Sequence, residues 1–466
     1  MKPGIESQPL RVAVIGAGPA GFYVVDHLFK QEGLAVTVDL FDRLPTPHGL
    51  VRHGVAPDHQ KIKQVTKVFD KVAQNPGFRF FGNVELGKHL RPEAMRDYYH
   101  QIVYTVGAQT DRNLDIPGEN LAGSHSATEF VAWYNGHPDY QNRHFDLSQE
   151  NVAIVGVGNV AVDVARILCR TVDELAVTDI ADEAIEALRH SRVRQVYMLG
   201  RRGLAQAAFS VQEIKELGNL DHAQVRVLPD EAEPDELTRS ELERNPNQTA
   251  QKKIQILQDF AVTPHVDKPR TLTIRFLVSP VELIGDTSGH VCEMRLVKNT
   301  LQITGNGTLR PQATEVEQRI PVGLVFRSVG YRGVPLDGVP FHTRWGVIPN
   351  KKGRIHDPDA SQHVVGEYVA GWIKRGPTGL IGTNKADAVE TVTMMLGDLA
   401  EGRILNPARP GIDECTAWIA GCQSEYFSFD DWRKLDAYEV NRGKQTGRPR
   451  VKLTSVAEML AVRNEN

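Results

Sequence analysis

Short apolar runs alternate with amphipathic stretches along this chain, and glycine-rich turns separate them at two places. Residues 11–15 form an apolar, β-branched run of strand length, and a helical pattern follows over 22–30. A second apolar run over 35–41 ends at Asp42. The turn after the first run carries three regularly spaced glycines, Gly16, Gly18 and Gly21. The pattern predicts a strand, a glycine turn, a helix and a second strand.

The same order of elements returns in the middle of the chain. Residues 151–155 are a predicted strand, 162–170 a predicted helix and 195–199 a later strand that closes on Arg201 and Arg202. The turn before this helix carries the small residues Gly156, Gly158 and Ala161. A supersecondary unit that occurs twice predicts two domains of similar architecture.

Two further apolar runs mark the places where the chain passes between these domains. Residues 103–108 are a predicted strand followed by a turn, and residues 321–331 are another predicted strand. We therefore predict an α/β protein with two Rossmann-like dinucleotide-binding domains, one inserted in the other. The discontinuous domain comprises residues 1–108 and 331–466, and the inserted domain comprises residues 109–330.

Composition narrows the class of protein. The chain has 466 residues, 41% of them hydrophobic and 24% charged, which is typical of a soluble globular protein. A net charge of -4 does not favour a general binder of nucleic acids or membrane surfaces. The four cysteines form no close pair, so a disulfide scaffold, a redox dithiol and a zinc knuckle are not expected. No apolar run approaches the roughly 20 residues of a membrane span. Because the first predicted strand begins near residue 11, we expect a cytoplasmic or already matured protein.

The first glycine turn has the context of a phosphate-binding fingerprint. Its glycines let the backbone approach a pyrophosphate, which the helix N-terminus stabilises. Asp42 at the end of the next strand is placed to bind ribose hydroxyls, and its charge would repel a 2′-phosphate. The first site is therefore predicted to hold FAD or NAD. The alternative is a glycine turn that serves packing alone.

The second unit carries the opposite charge at the corresponding position. Arg201 and Arg202 stand where the first unit has its acid, and two guanidinium groups suit a 2′-phosphate dianion. The second site is therefore predicted to prefer NADP, although a solvated arginine pair is the simpler alternative. Two sites of different selectivity imply electron transfer between NADPH and a flavin.

A third glycine-rich segment covers residues 371–384 and precedes a helix predicted over 385–399, with Thr383 or Asn384 as its N-cap. If this loop lies beside the first site, the helix N-terminus directs partial positive charge at the flavin. Trp372 would then cover the flavin ring. The alternative for Trp372 is simple core packing.

These motifs carry a family resemblance. They are GAGPAGFY at 16–23, GLVRHGVAPDH at 49–59, GNVAVDVARIL at 158–168, GRRG at 200–203 and GWIKRGPTGLIGTN at 371–384. With them the chain resembles the adrenodoxin reductase type of ferredoxin-NADP reductase over nearly its whole length. The resemblance implies that the discontinuous domain binds FAD and the inserted domain binds NADP.

The resemblance also implies site residues. The FAD site, including the three fingerprint glycines, comprises Gly16, Gly18, Ala20, Gly21, Asp42, Leu50, Val84, Trp372, Gly379, Leu380 and Ile381. The NADP site comprises Val157, Gly158, Asn159, Val160, Arg201, Arg202, Glu213 and Gly379. The catalytic candidates are Trp372, His59 and Asp163, the last two as a proton relay, although a structural role for His59 is an equal alternative. His48 and His53 are hypothesised to alter the flavin environment or the choice of acceptor.

The family's acceptor is a small acidic iron–sulfur protein, here expected to be a separate ferredoxin-like chain. A basic stretch without an acid offers a docking patch, or else a solvated tail, at Arg442, Lys444, Arg448, Arg450 and Lys452. The expected activity is reversible electron transfer between NADPH and ferredoxin through FAD. Two alternatives stay open: an NADPH-dependent flavin oxidase, monooxygenase or general diaphorase, and a non-catalytic module that holds FAD.

Overall fold

The computed structural model describes residues 3–465. The chain forms two compact units: the first contains the described residues up to Thr110 and from Tyr331 onwards, and the second runs from Asp111 to Gly330. The sequence analysis placed these boundaries after residues 108 and 330.

The first strands and helices along the chain belong to the first unit. They are β1 (Leu10–Ile15), α1 (Pro19–Phe29), β2 (Val36–Phe41), α2 (Leu50–His53), α3 (Gln60–Lys63), α4 (Thr66–Val72), β3 (Phe78–Phe81), α5 (Pro92–Met95) and β4 (Gln101–Tyr104).

The next elements belong to the second unit, apart from the first residue of β5. They are β5 (Thr110–Asp111), β6 (Ser124–Ser126), α6 (Ala127–Tyr134), β7 (Asn151–Val155), α7 (Asn159–Cys169), α8 (Val172–Ala176), α9 (Asp182–Arg189), β8 (Gln195–Leu199), α10 (Val211–Leu217), β9 (Ala223–Val227), α11 (Glu236–Arg244), α12 (Gln248–Val262), β10 (Arg270–Arg275), β11 (Val278–Gly285), β12 (Val291–Ile303), β13 (Leu309–Pro321) and β14 (Leu324–Arg327). Short 3-10 turns lie at Pro138–Tyr140, Leu204–Gln206 and Pro229–Glu231.

The chain then returns to the first unit. Its remaining elements are β15 (Tyr331–Arg332), β16 (Asn350–Lys351), β17 (Arg354–Asp357), β18 (Gln362–Val369), α13 (Trp372–Arg375), α14 (Thr383–Glu401), α15 (Ile412–Cys422), α16 (Phe429–Gln445) and α17 (Val456–Asn464). In the part of the chain that the structure describes, no helix combines the length and apolar character needed to cross a bilayer.

The first unit is built on a seven-stranded sheet in the order β16-β17-β18-β4-β1-β2-β3. The five strands from β18 to β3 are parallel, and β16 and β17 extend the edge in antiparallel fashion. Strand β1 is buried at every position, as expected for a parallel strand with both faces covered. The chain goes from β1 to β2 on one side, while β4 pairs on the other, so β1 borders a topological switch point where ligands bind.

The second unit repeats this arrangement. Its six-stranded parallel sheet has the order β6-β14-β7-β8-β10-β9, and a separate antiparallel sheet has the order β11-β12-β13. Strand β7 lies between β14 and β8, so its carboxyl end also borders a switch point. The predicted α/β class with two Rossmann-like units is confirmed.

Several predicted element bounds need correction. Helices α1 and α7 begin three residues earlier than predicted, at Pro19 and Asn159, because the second glycine of each turn, Gly18 or Gly158, is the N-cap residue. In α1, proline also favours the first helical position. The predicted strand over 321–331 is wrong as one element. This stretch contains the last residue of β13, all of β14 and the first residue of β15. Between β14 and β15, strand pairing is interrupted by a loop that ends at Gly330, which has a positive φ. Strand β4 ends at Tyr104 rather than residue 108.

Candidate functional site

The first glycine turn connects β1 to α1. Gly16 has φ 111°, and a Cβ atom there would lie 2.6 Å from the carbonyl oxygen of Thr105, so no other residue fits. Gly18 is different: a Cβ atom would meet only the Gly49 Cα, at 4.0 Å, among the described atoms. The side above Gly18 is therefore open at the start of a helix, which is the geometry that a pyrophosphate needs.

Asp42 lies directly after β2 and reaches this turn. Its carboxylate accepts hydrogen bonds from the backbone N–H groups of Ala17 at 2.9 Å and Leu44 at 3.0 Å. Burial raises the pKa of Asp42 above its ordinary value, while these two amides oppose the shift. A carboxylate has about four acceptor positions, so it can accept further hydrogen bonds from ribose hydroxyls.

Leu50 and Val84 also lie around the first turn. Leu50 begins α2, and the preceding Gly49 packs so closely on the turn that a Cβ atom would lie 2.9 Å from the Gly18 Cα. The buried Val84 donates its N–H to the carbonyl oxygen of Asp42 at 2.9 Å. The structure thus brings these predicted FAD contacts together, while their binding roles stay predictions.

The third glycine segment lies beside the first turn, as its hypothesised role requires. Gly371 has φ 80°, and a Cβ atom there would lie 2.6 Å from the Ala20 Cβ. Trp372 follows, half-buried, with its indole N–H donated to Thr378 at 3.2 Å and its ring centroid 5.3 Å from that of Tyr331.

The predicted capping of α14 is wrong. The helix begins at Thr383, so Thr383 and Asn384 lie inside it, and Gly382 occupies the N-cap position without a side-chain hydrogen bond. The Thr383 hydroxyl instead accepts the N–H of Leu380 at 3.1 Å, which closes the preceding loop. Gly379 and Leu380 in that loop are exposed, and Ile381 is partly buried.

Asp387 supports the third segment and was missed by the sequence analysis. Its carboxylate accepts the N–H of Gly371 at 2.5 Å and pairs with the Lys374 ammonium at 2.8 Å. Only 8% of the Asp387 side chain is exposed. This residue fixes the peptide before Trp372, but the sequence shows it only as an acid within a helix.

The histidines after the first turn differ in their surroundings. His59 is the N-cap residue of α3 and donates its backbone N–H to Ala56 at 3.0 Å. His48 is buried, with its ring 5.5 Å from Phe22 and 5.6 Å from Trp432. Burial, and then the charge of Arg52 among others, lowers the pKa of His48 to about 3. His48 is therefore a neutral member of an aromatic core.

The second glycine turn connects β7 to α7. Like the first turn, it has one glycine with no room for a Cβ atom and a second glycine with open space above it. Gly156 has φ 138°, and a Cβ atom there would overlap the carbonyl oxygen of Ser328. A Cβ atom on Gly158 would meet no described atom within 4 Å, so the space above the turn is open. Asn159 begins α7 and accepts the N–H of Ser210 through Oδ1 at 2.8 Å. Val157 accepts the N–H groups of two residues in the neighbouring loop.

Arg201 and Arg202 lie directly after β8, on the surface of the second unit. Asn299 donates to the Arg201 carbonyl oxygen at 2.9 Å, and neither guanidinium pairs with another described residue. Desolvation, and then the charge of Arg201, lowers the pKa of Arg202. The buried Lys253, which the sequence analysis missed, has a pKa lowered by desolvation and by the charge of Arg202. These unneutralised cations suit a phosphate dianion.

Asp163 and Glu213 are tied to one buried arginine in the same unit. Arg166 is fully buried and donates to Asp163 at 2.6 Å and to Glu213 at 3.2 Å. The structure therefore assigns both carboxylates an ion-pair partner that the sequence analysis did not identify. The relay role of Asp163 and the cofactor role of Glu213 stay predictions.

Comparisons with known proteins agree with this geometry. Residues 10–200 match the model of the pyridine nucleotide-disulphide oxidoreductase family. The chain is 43% identical to the NADPH-ferredoxin reductase FprA of Mycobacterium tuberculosis, over 98% of this chain and 99% of the relative. It is 40% identical to the mitochondrial NADPH:adrenodoxin oxidoreductase of Arabidopsis thaliana, over 98% and 95% of the two chains.

The chain belongs to the ferredoxin-NADP reductases of the adrenodoxin reductase type. The solved structure of Mycobacterium tuberculosis FprA in complex with NADPH matches with a TM-score of 0.92 and 42% identity, covering 98% of this chain and all of the other. The family resemblance noted in the sequence is thereby confirmed.

The basic docking patch expected of this reductase near its C-terminus is contradicted for three of its five cations. Arg448 and Lys452 are buried, with 9% and 5% exposure. Arg450 is paired with Asp436 at 2.5 Å and with the buried Glu439 at 3.3 Å. These three cations therefore do not form a free basic surface, whereas Arg442 is half-buried and Lys444 is exposed.

Proposed function

We propose that this protein transfers electrons from NADPH to a ferredoxin-type iron–sulfur acceptor, with FAD as its resident cofactor. One observation carries the proposal. Each unit has an open glycine turn, and the strand that follows each turn ends at side chains of opposite charge. Asp42 serves the first turn, and Arg201 and Arg202, which pair with no acid among the described residues, serve the second. The names of the relatives support the same activity.

The overall reaction balances with two one-electron acceptors. NADPH and two oxidised ferredoxins give NADP⁺, one proton and two reduced ferredoxins. Bound FAD supplies the conversion of a two-electron hydride into single electrons. The proton is released to solvent, and the same residues serve the reverse direction.

Each unit holds one dinucleotide in this proposal. The first unit binds FAD through the residues of its glycine turn, which are Gly16, Gly18, Ala20 and Gly21. Three residues around the turn add contacts: Asp42, Leu50 and Val84. The third segment contributes Trp372, Gly379, Leu380 and Ile381. The second binds NADP through Val157, Gly158, Asn159, Val160, Arg201, Arg202 and Glu213, and Gly379 is proposed for both sets. His59 and Asp163 are proposed to move the proton. The acceptor is a separate chain in the cytoplasm.

The test is NADPH-driven reduction of cytochrome c by the purified yellow protein, with and without a [2Fe–2S] or a [4Fe–4S] ferredoxin, and again with NADH. We expect strong stimulation by a ferredoxin and a preference for NADPH. Reduction that ignores both ferredoxins would contradict the proposal and favour a general diaphorase.

The same preparation separates the remaining alternatives. Oxygen consumption as fast as the rate with the best artificial acceptor would favour an oxidase or monooxygenase. Failure of NADPH to bleach the bound flavin would favour a module that only holds FAD.

A further inference from the structure

A short turn of the first unit presents an aromatic side chain to solvent. We name residues 342–346 the Trp345 turn. Trp345 is 63% exposed, yet its ring stacks on the His342 ring at 4.7 Å with an interplanar angle of 19°. The backbone N–H of Trp345 also donates a hydrogen bond to Nδ1 of His342 at 3.3 Å. The indole therefore stacks on a neighbouring ring on the surface and contributes little to the core.

Within and beside this turn lies positive charge that no acid among the described residues neutralises. Arg344 is exposed and makes no ion pair with any described residue. Arg332, also exposed, folds over the turn and donates to the carbonyl oxygen of Thr343. On a chain with a net charge of -4, these two arginines form a local positive surface next to the indole.

The Trp345 turn hydrogen-bonds to Gly333, and Ile348, two residues after the turn, hydrogen-bonds to the segment that carries Trp372. Gly333 donates its N–H to Gly346 at 3.1 Å, and Ile348 donates its N–H to Ile373 at 2.9 Å. Tyr331, next to Arg332, places its ring 5.3 Å from that of Trp372. A protein that docks on the Trp345 turn therefore lies close to a proposed FAD contact.

We propose that the Trp345 turn, with Arg332 and Arg344, is the docking surface for an acidic iron–sulfur protein. Rigid tryptophan and arginine side chains dominate the binding energy of many protein interfaces. Guanidinium groups that pair with no described acid select a negatively charged partner and speed its approach. This inference rests on the proposed function, because it names where the acceptor binds. It also replaces the contradicted patch at the C-terminus.

The test uses the holoenzyme variant Trp345→Ala/Arg344→Glu. We expect the KM for an acidic [2Fe–2S] ferredoxin to rise at least about tenfold in the coupled cytochrome c assay. The salt dependence of this KM should become weaker, since a charge contact is lost. Reduction of ferricyanide by NADPH and the flavin content should stay at wild-type values, which shows that the variant is folded.

The matched control is Tyr438→Ala/Lys444→Glu, which removes another exposed aromatic ring and reverses another exposed cation in the first unit. Its KM for ferredoxin should equal that of the wild type. A KM for the Trp345 variant within about twofold of wild type would overturn the inference. A larger effect in the control than in the Trp345 variant would also overturn it. A wild-type enzyme that reduces ferricyanide but no ferredoxin would overturn the proposed function as well.

Discussion

At the scale of single residues, one change of charge distinguishes two otherwise similar turns. Asp42 follows β2 and hydrogen-bonds to the first turn, whereas Arg201 follows β8 and has no acidic partner among the described residues. Both turns have a glycine with an open side, Gly18 and Gly158, where a phosphate group can approach. We therefore propose that the charged residues decide which dinucleotide binds, while the glycines provide the space.

The variant Arg201→Ala/Arg202→Ala tests this division. Loss of two charge-assisted contacts to the 2′-phosphate should raise the KM for NADPH at least about tenfold. The KM for NADH should change little, because NADH has no 2′-phosphate. Steady-state kinetics with ferricyanide as acceptor measures both values.

A suitable control is Arg194→Ala, since Arg194 is an exposed arginine of the same unit that pairs with Glu150 at 3.6 Å. It should leave both KM values unchanged. If the double variant affected NADPH and NADH equally, the assignment of the arginine pair to the 2′-phosphate would be refuted.

The residues that sequence analysis identified are those that lie within a local motif. Asp42 and the arginine pair occur at a fixed place after a strand, so their positions follow from the βαβ pattern. Asp387 and Lys253 could not be found in this way. Their roles depend on Gly371 and Arg202, which come close to them only through the tertiary fold.

At the scale of elements, a buried ion pair joins two distant helices. Arg52 of α2 donates to both carboxylate oxygens of Glu439 of α16, at 2.8 and 2.5 Å. Glu439 is fully buried and also accepts the N–H of Leu453 at 2.9 Å. Desolvation raises the pKa of Glu439, but the charges of Arg52 and Arg450 and the hydrogen bonds from Arg52 and Leu453 together lower it below its ordinary value. This pair holds α2, which begins at the proposed FAD contact Leu50.

Glu439→Gln should therefore destabilise the holoenzyme strongly. It leaves the guanidinium of Arg52 buried without a counter-charge, and removing one partner of such a pair typically destabilises a protein by about 3–5 kcal/mol. Urea unfolding followed by circular dichroism measures this loss, and the flavin content after purification should fall with it.

The comparison variant is Asp430→Asn in the same helix, where an 85% exposed carboxylate pairs with Arg433 at 3.4 Å. An exposed pair contributes at most about 1 kcal/mol, so this variant should unfold close to wild type. Equal stability of the two variants would show that the buried pair does not anchor α2.

Elements with strong periodicity were predicted well, and irregular connections were not. β1, β7 and β8 have the clear apolar runs of buried strands, and their positions are as expected. The run over 321–331 was interpreted as one strand because its apolar residues are nearly continuous. Pairing decides otherwise: β14 lies between β6 and β7, while β13 belongs to the antiparallel sheet.

At the scale of the whole molecule, buried neutral histidines make stability depend on pH. Burial lowers the pKa of His48 to about 3 and that of His100 to about 4. His100 accepts the N–H of Arg11 through Nδ1 at 2.9 Å, which requires the neutral ring. Below the ordinary histidine pKa, near 6.5, the unfolded chain binds protons that the folded chain does not.

The free energy of unfolding should therefore fall as the pH is lowered from about 6.5 to 4, by about 1.4 kcal/mol per pH unit for each such histidine. Replacing His48 by asparagine, which tolerates its φ of 83°, should make the dependence shallower. Urea unfolding between pH 4.5 and 7 measures the slope. His222→Asn, at an exposed position, should leave it unchanged, and an unchanged slope in His48→Asn would refute this account.

The interrupted first unit has a consequence for biosynthesis. Strand β4 leaves the ribosome early, but its parallel neighbour β18 begins only at Gln362. The hydrogen-bonding edge of a central strand therefore stays without its partner while the entire second unit is translated. Unpaired strand edges promote association between chains, so the nascent polypeptide passes through a long interval of exposure to aggregation. The continuous second unit can fold during that interval, so chaperones are needed mainly by the interrupted first unit.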